Sequence, residues 1–232
     1  MSVVHPSPEI PQGLVDKIVA RRGRLHVYDQ LSPLCTALVV IDMDVGSCGR
    51  EPELTASAID RINMVSRPLR ASGGSVAFVT SEIADPVGLG RRLGDETAAM
   101  YVAETSPGGV GTILAPALVV EGGDLRARKA GASAFFPGRC DLHAQLQDRG
   151  VTSVLIAGLV TNVCCESSAR DACELGYQVT MVSDANVGQS FGLHEASLAT
   201  FFRVFGDVRP AADVVQLIGQ SDASTVRSQS PM

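Results

Sequence analysis

Apolar residues along this chain fall into two alternating patterns. Unbroken runs rich in β-branched residues occur at 36–42 (TALVVID), 75–80 (SVAFVT) and 152–158 (TSVLIAG), each long enough for a strand buried on both faces. Between them the apolar spacing becomes helical. Residues 57–70 carry Ile59, Ile62, Val65 and Leu69 and stop at Ser72-Gly73-Gly74, as an amphipathic helix with a glycine stop should. The same logic predicts helices at 142–149, before Gly150, and at 164–175, before Gly176. A fourth strand is predicted at 178–183 (QVTMVS), a helix at 194–202, a short strand at 204–208 and a helix at 211–217.

Strands alternating with helices make an α/β fold with a mostly parallel sheet covered by helices, and ligands of such sheets sit beyond the carboxyl ends of the strands. Asp42, Thr80 and Gly158 fall at that edge. Residues 84–128 are rich in Gly, Pro and charge and break the pattern, which predicts a lid or binding loop. The expected organisation is an N-terminal extension over 1–33, one domain over 34–220 and a flexible polar tail over 221–232.

Composition narrows the classes. The chain has 232 residues, 45% of them hydrophobic, and a formal charge of −6, with no basic stripe to attract nucleic acid. No apolar run reaches membrane-spanning length and residues 1–20 lack the pattern of a signal peptide, so no membrane partner and a cytoplasmic location are expected. Six cysteines, at 35, 48, 140, 164, 165 and 173, follow no metal-ligand or disulfide-scaffold spacing. Four scattered histidines add no ligand pair, so no metal is expected.

Three residues stand out chemically. Cys164 falls where a helix begins after the turn Gly158-Leu159-Val160-Thr161, and the positive end of a helix favours thiolate. Asp42 closes an otherwise apolar strand, a costly place for a carboxylate without a partner. Lys129 precedes the small and apolar segment Gly131-Ala132-Ser133-Ala134-Phe135-Phe136-Pro137, where a cation needs a counter-charge. Taken alone, each has an ordinary explanation: a core thiol, a solvated loop start, a surface lysine. Cys165, one position further round the helix, is expected to point into the core.

Together the three sites carry a resemblance. VVIDM around Asp42, K-x-x-x-S-x-F from Lys129 and G-x-x-T-x-x-C at Gly158, Thr161 and Cys164 resemble the isochorismatase-like cysteine hydrolase superfamily over residues 34–220. TNVCCESSARDA followed by LGYQVTMVSDA is similar to the branch containing ureidoacrylate amidohydrolase, biuret hydrolase and N-carbamoylsarcosine amidohydrolase. The resemblance implies a three-layer Rossmann-like sheet and an Asp42–Lys129–Cys164 triad. It also implies a cis peptide between Leu159 and Val160, and an oxyanion hole made by the amides of Val160 and Cys164. Asp42 would act as base, Lys129 as orienting cation and Cys164 as the nucleophile that forms a thioester. The partner implied is a small amide or ureido substrate, with no cofactor, and the assembly implied is a homodimer or homotetramer.

The chain departs from the family pattern after Asp42. Many relatives continue as DMQNDF, whereas this chain has Asp42-Met43-Asp44-Val45-Gly46-Ser47-Cys48, so Asp44 and Ser47 become candidate substrate contacts in a more open pocket with room for a larger amide. Further candidates are Phe135, Asn162 and Asn186, with Arg91 and Arg92 for a substrate carboxylate. The segment Thr80-Ser81-Glu82-Ile83-Ala84-Asp85 lacks the histidine of the metal cluster in nicotinamidase relatives, and Cys164 argues against cleavage of a vinyl ether. Two other readings are a thiol redox or sensing protein using Cys164 and Cys165, which leaves Asp42 and Lys129 unexplained, and a family member that has lost catalysis. A nucleotide-binding module lacks its glycine fingerprint.

Overall fold

The protein is described by a computed structural model over residues 10–228. The helix α1 (Gln12–Arg22) leads into β1 (Thr36–Ile41), the short α2 (Val45–Cys48), α3 (Pro52–Ala71) and β2 (Ser75–Ser81). Next come α4 (Pro86–Leu93), α5 (Asp95–Thr105), β3 (Leu125–Lys129), α6 (Leu142–Asp148) and β4 (Ser153–Leu159). A π-helical turn, Thr161–Cys165, runs into α7 (Glu166–Glu174), followed by β5 (Gln178–Val187), α8 (Phe191–Val204), β6 (Asp207–Arg209) and α9 (Ala211–Ser228). The strands form one six-stranded sheet in the order β3-β2-β1-β4-β5-β6, and every pairing in it is parallel.

The apolar runs read as strands because both faces of the sheet are covered. In β1, Ala37, Val39 and Ile41 join a core with Ile18 of α1, Leu142 and Leu146 of α6, Ala169 and Ala172 of α7 and Leu198 and Phe201 of α8. The alternate residues Leu38 and Val40 face a second core with Ile59, Ile62, Val65 and Leu69 of α3 and Val214 and Ile218 of α9. The result is the expected three-layer α/β architecture. The four α3 side chains are at most 5% exposed, and burial of each contributes about 1.5–3 kcal/mol relative to exposure.

The region predicted as a loop over 84–128 is instead mostly structured. Asp85 caps α4, its carboxylate accepting the Gly88 amide at 2.8 Å, with Pro86 in the first turn. Strand β3 was hidden because it is an edge strand: Ala127 and Lys129 are buried while Arg126 and Arg128 are exposed, so charge masks the alternation. The expected extension over 1–33 contains α1, with Ile18 in the core, and a segment pinned to β6. There the buried Asp207 carboxylate accepts the amides of Val27 and Tyr28 at 2.9 and 3.2 Å. At the other end, α9 continues to Ser228 where a tail was expected from 221. Residues 1–9 and 229–232 lie outside the described residues. Among the described residues no helix is long and apolar enough to cross a membrane.

Candidate active site

Asp42, Lys129 and Cys164, far apart along the chain, meet at the carboxyl edge of the sheet. Each arrives by a different local route. Asp42 follows β1 with φ 51°, in the left-handed region that aspartate tolerates better than most residues; its amide donates to Val79 O at 2.8 Å. Lys129 ends β3, and the β2–β3 register pairs it with Ser81. Cys164 lies in the π-helical turn between β4 and α7, a departure from α geometry that recurs at functional sites. The peptide between Leu159 and Val160 is cis, as the sequence motif implied.

Lys129 organises the site. It is 1% exposed, and its Nζ lies 2.8 Å from Asp42 Oδ2, 2.7 Å from Ser81 Oγ, 3.2 Å from the Gly131 carbonyl oxygen and 3.4 Å from Cys164 Sγ. Ser81 accepts from the ammonium and donates from its own hydroxyl to Asp42 Oδ1 at 2.8 Å, which holds the carboxylate from a second side. Burial alone would lower the Lys129 pKa, but Asp42 and Cys164 outweigh it and raise the value. The ammonium is therefore a fixed positive charge at neutral pH.

The thiol behaves differently from the expectation at a helix start. Burial, reinforced by the Asp42 charge and only partly offset by Lys129, pushes the Cys164 thiol up to about 12. In a dry site beside a carboxylate, local desolvation exceeds the weak field of a helix terminus. Burial and the Asp42 charge thus favour the neutral thiol, which sits beside the Asp42–Lys129 ion pair with the ammonium 3.4 Å from sulfur. Cys165 is fully buried in the core, as expected.

Surrounding bonds fix the nucleophile turn. Ser168 donates from Oγ to the Cys164 carbonyl at 2.6 Å and accepts the Ala134 amide at 2.9 Å, which ties α7 to the segment after Lys129. Buried Thr161 and His194 meet at 2.7 Å between Oγ1 and Nδ1. Gly158 lets β4 approach β1: it has φ 125°, and a Cβ there would stand 2.1 Å from the Ile41 carbonyl oxygen.

The remaining predicted contacts are dispersed. Asp44 is buried and caps α2, accepting the Ser47 amide at 2.8 Å and the Ser47 hydroxyl at 3.0 Å; burial raises its pKa to about 6, the Ser47 bonds opposing and Asp42 adding to the rise. Phe135 is in the core, edge-on to Tyr177 at 5.6 Å between centroids, and Phe136 is the exposed neighbour. Asn162 clasps Gln189 through two bonds. Asn186 donates to the carbonyls of Ile156 and Val182 at the irregularity between β4 and β5. Arg91 and Arg92 are exposed in the last turn of α4. Ser81 was missed; its signal was a hydroxyl ending an apolar strand at the edge already marked by Asp42. Among the described residues no group of three or more His, Cys, Asp or Glu side chains is placed to hold a metal ion.

Comparison with known proteins bears on the family and the fold. Residues 36–213 match the isochorismatase domain family. An uncharacterized isochorismatase family protein of Bacillus subtilis (strain 168), YwoC, is 29% identical over 189 residues, covering 79% of this chain and 94% of the relative. The ureidoacrylate amidohydrolase RutB of Stutzerimonas stutzeri (strain A1501) is 28% identical over 193 residues, covering 72% and 77%. Among solved structures, a cysteine hydrolase from Pseudomonas syringae pv. phaseolicola 1448A superposes with a TM-score of 0.74 at 27% identity, covering 85% of this chain and 99% of that one.

Proposed function

The chain belongs to the isochorismatase family, and on that premise we propose that it is a cysteine hydrolase that cleaves a linear amide or ureido C–N bond, with Cys164 as nucleophile, Asp42 as base and Lys129 as orienting cation. The observation that carries this reading is the single ammonium 2.8 Å from Asp42 Oδ2 and 3.4 Å from Cys164 Sγ. A buried lysine with both a carboxylate and a thiol around its head has no evident packing purpose. The likeness to an amidohydrolase selects the bond class.

In this mechanism Asp42 removes the thiol proton as sulfur attacks the carbonyl carbon, so no free thiolate accumulates. Lys129 and Ser81 keep the carboxylate aimed, and the amides of Val160 and Cys164 receive the oxyanion. Collapse expels the amine with the proton from Asp42 and leaves a thioester on Cys164. Asp42 then deprotonates a water, which releases the acid and restores the thiol. The Asp44–Ser47 cap replaces the bulkier residues of the family pattern, so the proposed substrates extend to amides larger than simple ureido acids.

The test is amine or ammonia release across a panel of ureido acids, carboxamides and larger amides. Cys164→Ala should lose turnover and the intact-mass acyl adduct while keeping a cooperative unfolding transition. Undiminished hydrolysis by that variant would end the proposal.

A further inference from the structure

Side-chain alternation gives β2 and β3 a second chemical face. Ser81 and Lys129 point to the triad, so Thr80, Glu82, Arg126 and Arg128 lie on the opposite side, where the register pairs Phe78 with Arg126 and Thr80 with Arg128. A cleft of about 820 Å³ runs along that side and round the edge of β3, where Ala127, Arg139 and Cys140 join its lining; none of Asp42, Lys129 or Cys164 lines it.

Its charges are poorly neutralised. The Arg126 guanidinium lies over the Phe78 ring, 5.2 Å from the centroid, and among the described residues neither it nor Arg139 is in an ion pair. Arg128 donates to the Thr105 carbonyl at 2.9 Å, and its Nε is 3.9 Å from Glu82 Oε2, a loose contact. With Asp141 as the other acidic lining residue, three guanidiniums face two carboxylates in a chain of net charge −6. Because β3 is the edge strand, no further strand lies alongside to supply counter-charge.

We propose that this cleft is an anion-binding site for the carboxylate or phosphate group of a small metabolite, separate from the reactive thiol. Planar guanidiniums bind both oxyanions through paired N–H donors, and stacking on Phe78 holds the plane of Arg126 before a ligand arrives. The cleft and the triad share the β2–β3 ladder, in which the Glu82 amide donates to the Lys129 carbonyl at 2.9 Å.

Titration with inorganic phosphate and, separately, with succinate, followed by amide chemical shifts of the whole chain, tests this and distinguishes the two ligand sources. Saturable shifts around residues 126–128 and 139 are expected by about 10 mM with at least one of the two anions. The double variant Arg126→Gln/Arg139→Gln should weaken binding about tenfold or more. Cys164→Ala should bind as the unaltered chain does, and the alkylation rate of Cys164 in the double variant should be unchanged without anion. Absence of shifts with both anions, equal binding by the double variant, or loss of binding in Cys164→Ala would overturn the proposal. A change of oligomeric state in the double variant with no change in anion binding would also overturn it, assigning the cleft to contact between copies of the chain.

Discussion

Replacing Lys129 with Met removes the only cation within ion-pair distance of Asp42 among the described residues while retaining an unbranched apolar stem in a 1%-exposed position. Asp42, itself 7% exposed, would keep the Ser81 hydroxyl bond at 2.8 Å but lose its counter-charge, and breaking a buried pair from one side costs about 3–5 kcal/mol. In a chain of this size each kcal/mol moves the unfolding temperature about 2–4 °C, so the expected loss is about 6–20 °C. Asp42→Asn should be comparably harmful, because it strands a buried ammonium. The double variant Asp42→Asn/Lys129→Met buries no charge and should recover at least about half of the single-variant loss. Equilibrium urea unfolding of the four proteins measures the cycle, and turnover should be lost in all three variants whatever their stability. A Lys129→Met protein within about 1 kcal/mol of the original, or a double variant as unstable as the sum of the singles, would refute the account of the pair as mutually compensating charges.

Ser81→Ala removes a hydroxyl that accepts from Lys129 and donates to Asp42; a loss of about 1–2 kcal/mol should appear as a roughly tenfold fall in kcat with little change in KM, and unchanged kcat would remove Ser81 from the site. With its pKa raised to about 12, the Cys164 thiol ionises only at high pH, so its alkylation rate by iodoacetamide should rise about tenfold per unit between about pH 7 and 10. A plateau near neutrality would show instead that the thiolate is stable at rest. Gly158→Ala should cost at least about 3 kcal/mol, measured by urea unfolding, since its Cβ meets backbone at a φ that alanine avoids; near-original stability would contradict the close approach of β4 to β1.

Residues 36–42, 75–80 and 152–158 announced their strands because both faces are buried, so no polar residue interrupts the run. Strand β3 did not, because its sequence LRARK mixes an inner face of Ala127 and Lys129 with an outer face of two arginines. The triad was legible as three separated motifs, Cys164 through its glycine turn, Asp42 and Lys129 through charge in apolar surroundings. Ser81 carried only the weak signal of a hydroxyl at a strand end, which is ordinary until the neighbouring strand places an ammonium beside it. For Phe135 the sequence left pocket and core both open, and packing against Tyr177 places it in the core.

Periodicity, a property of the chain alone, was enough for the alternation of strands and helices, and the family resemblance of three separated motifs was enough to single out Asp42, Lys129 and Cys164. Only the packed chain brings about the burial that raises the Cys164 pKa, the hydroxyl between Lys129 and Asp42, the helices in place of a long loop and the arginine cleft along the edge strand. Each of these depends on distances and desolvation between residues remote in sequence, and electrostatic energies change steeply with both.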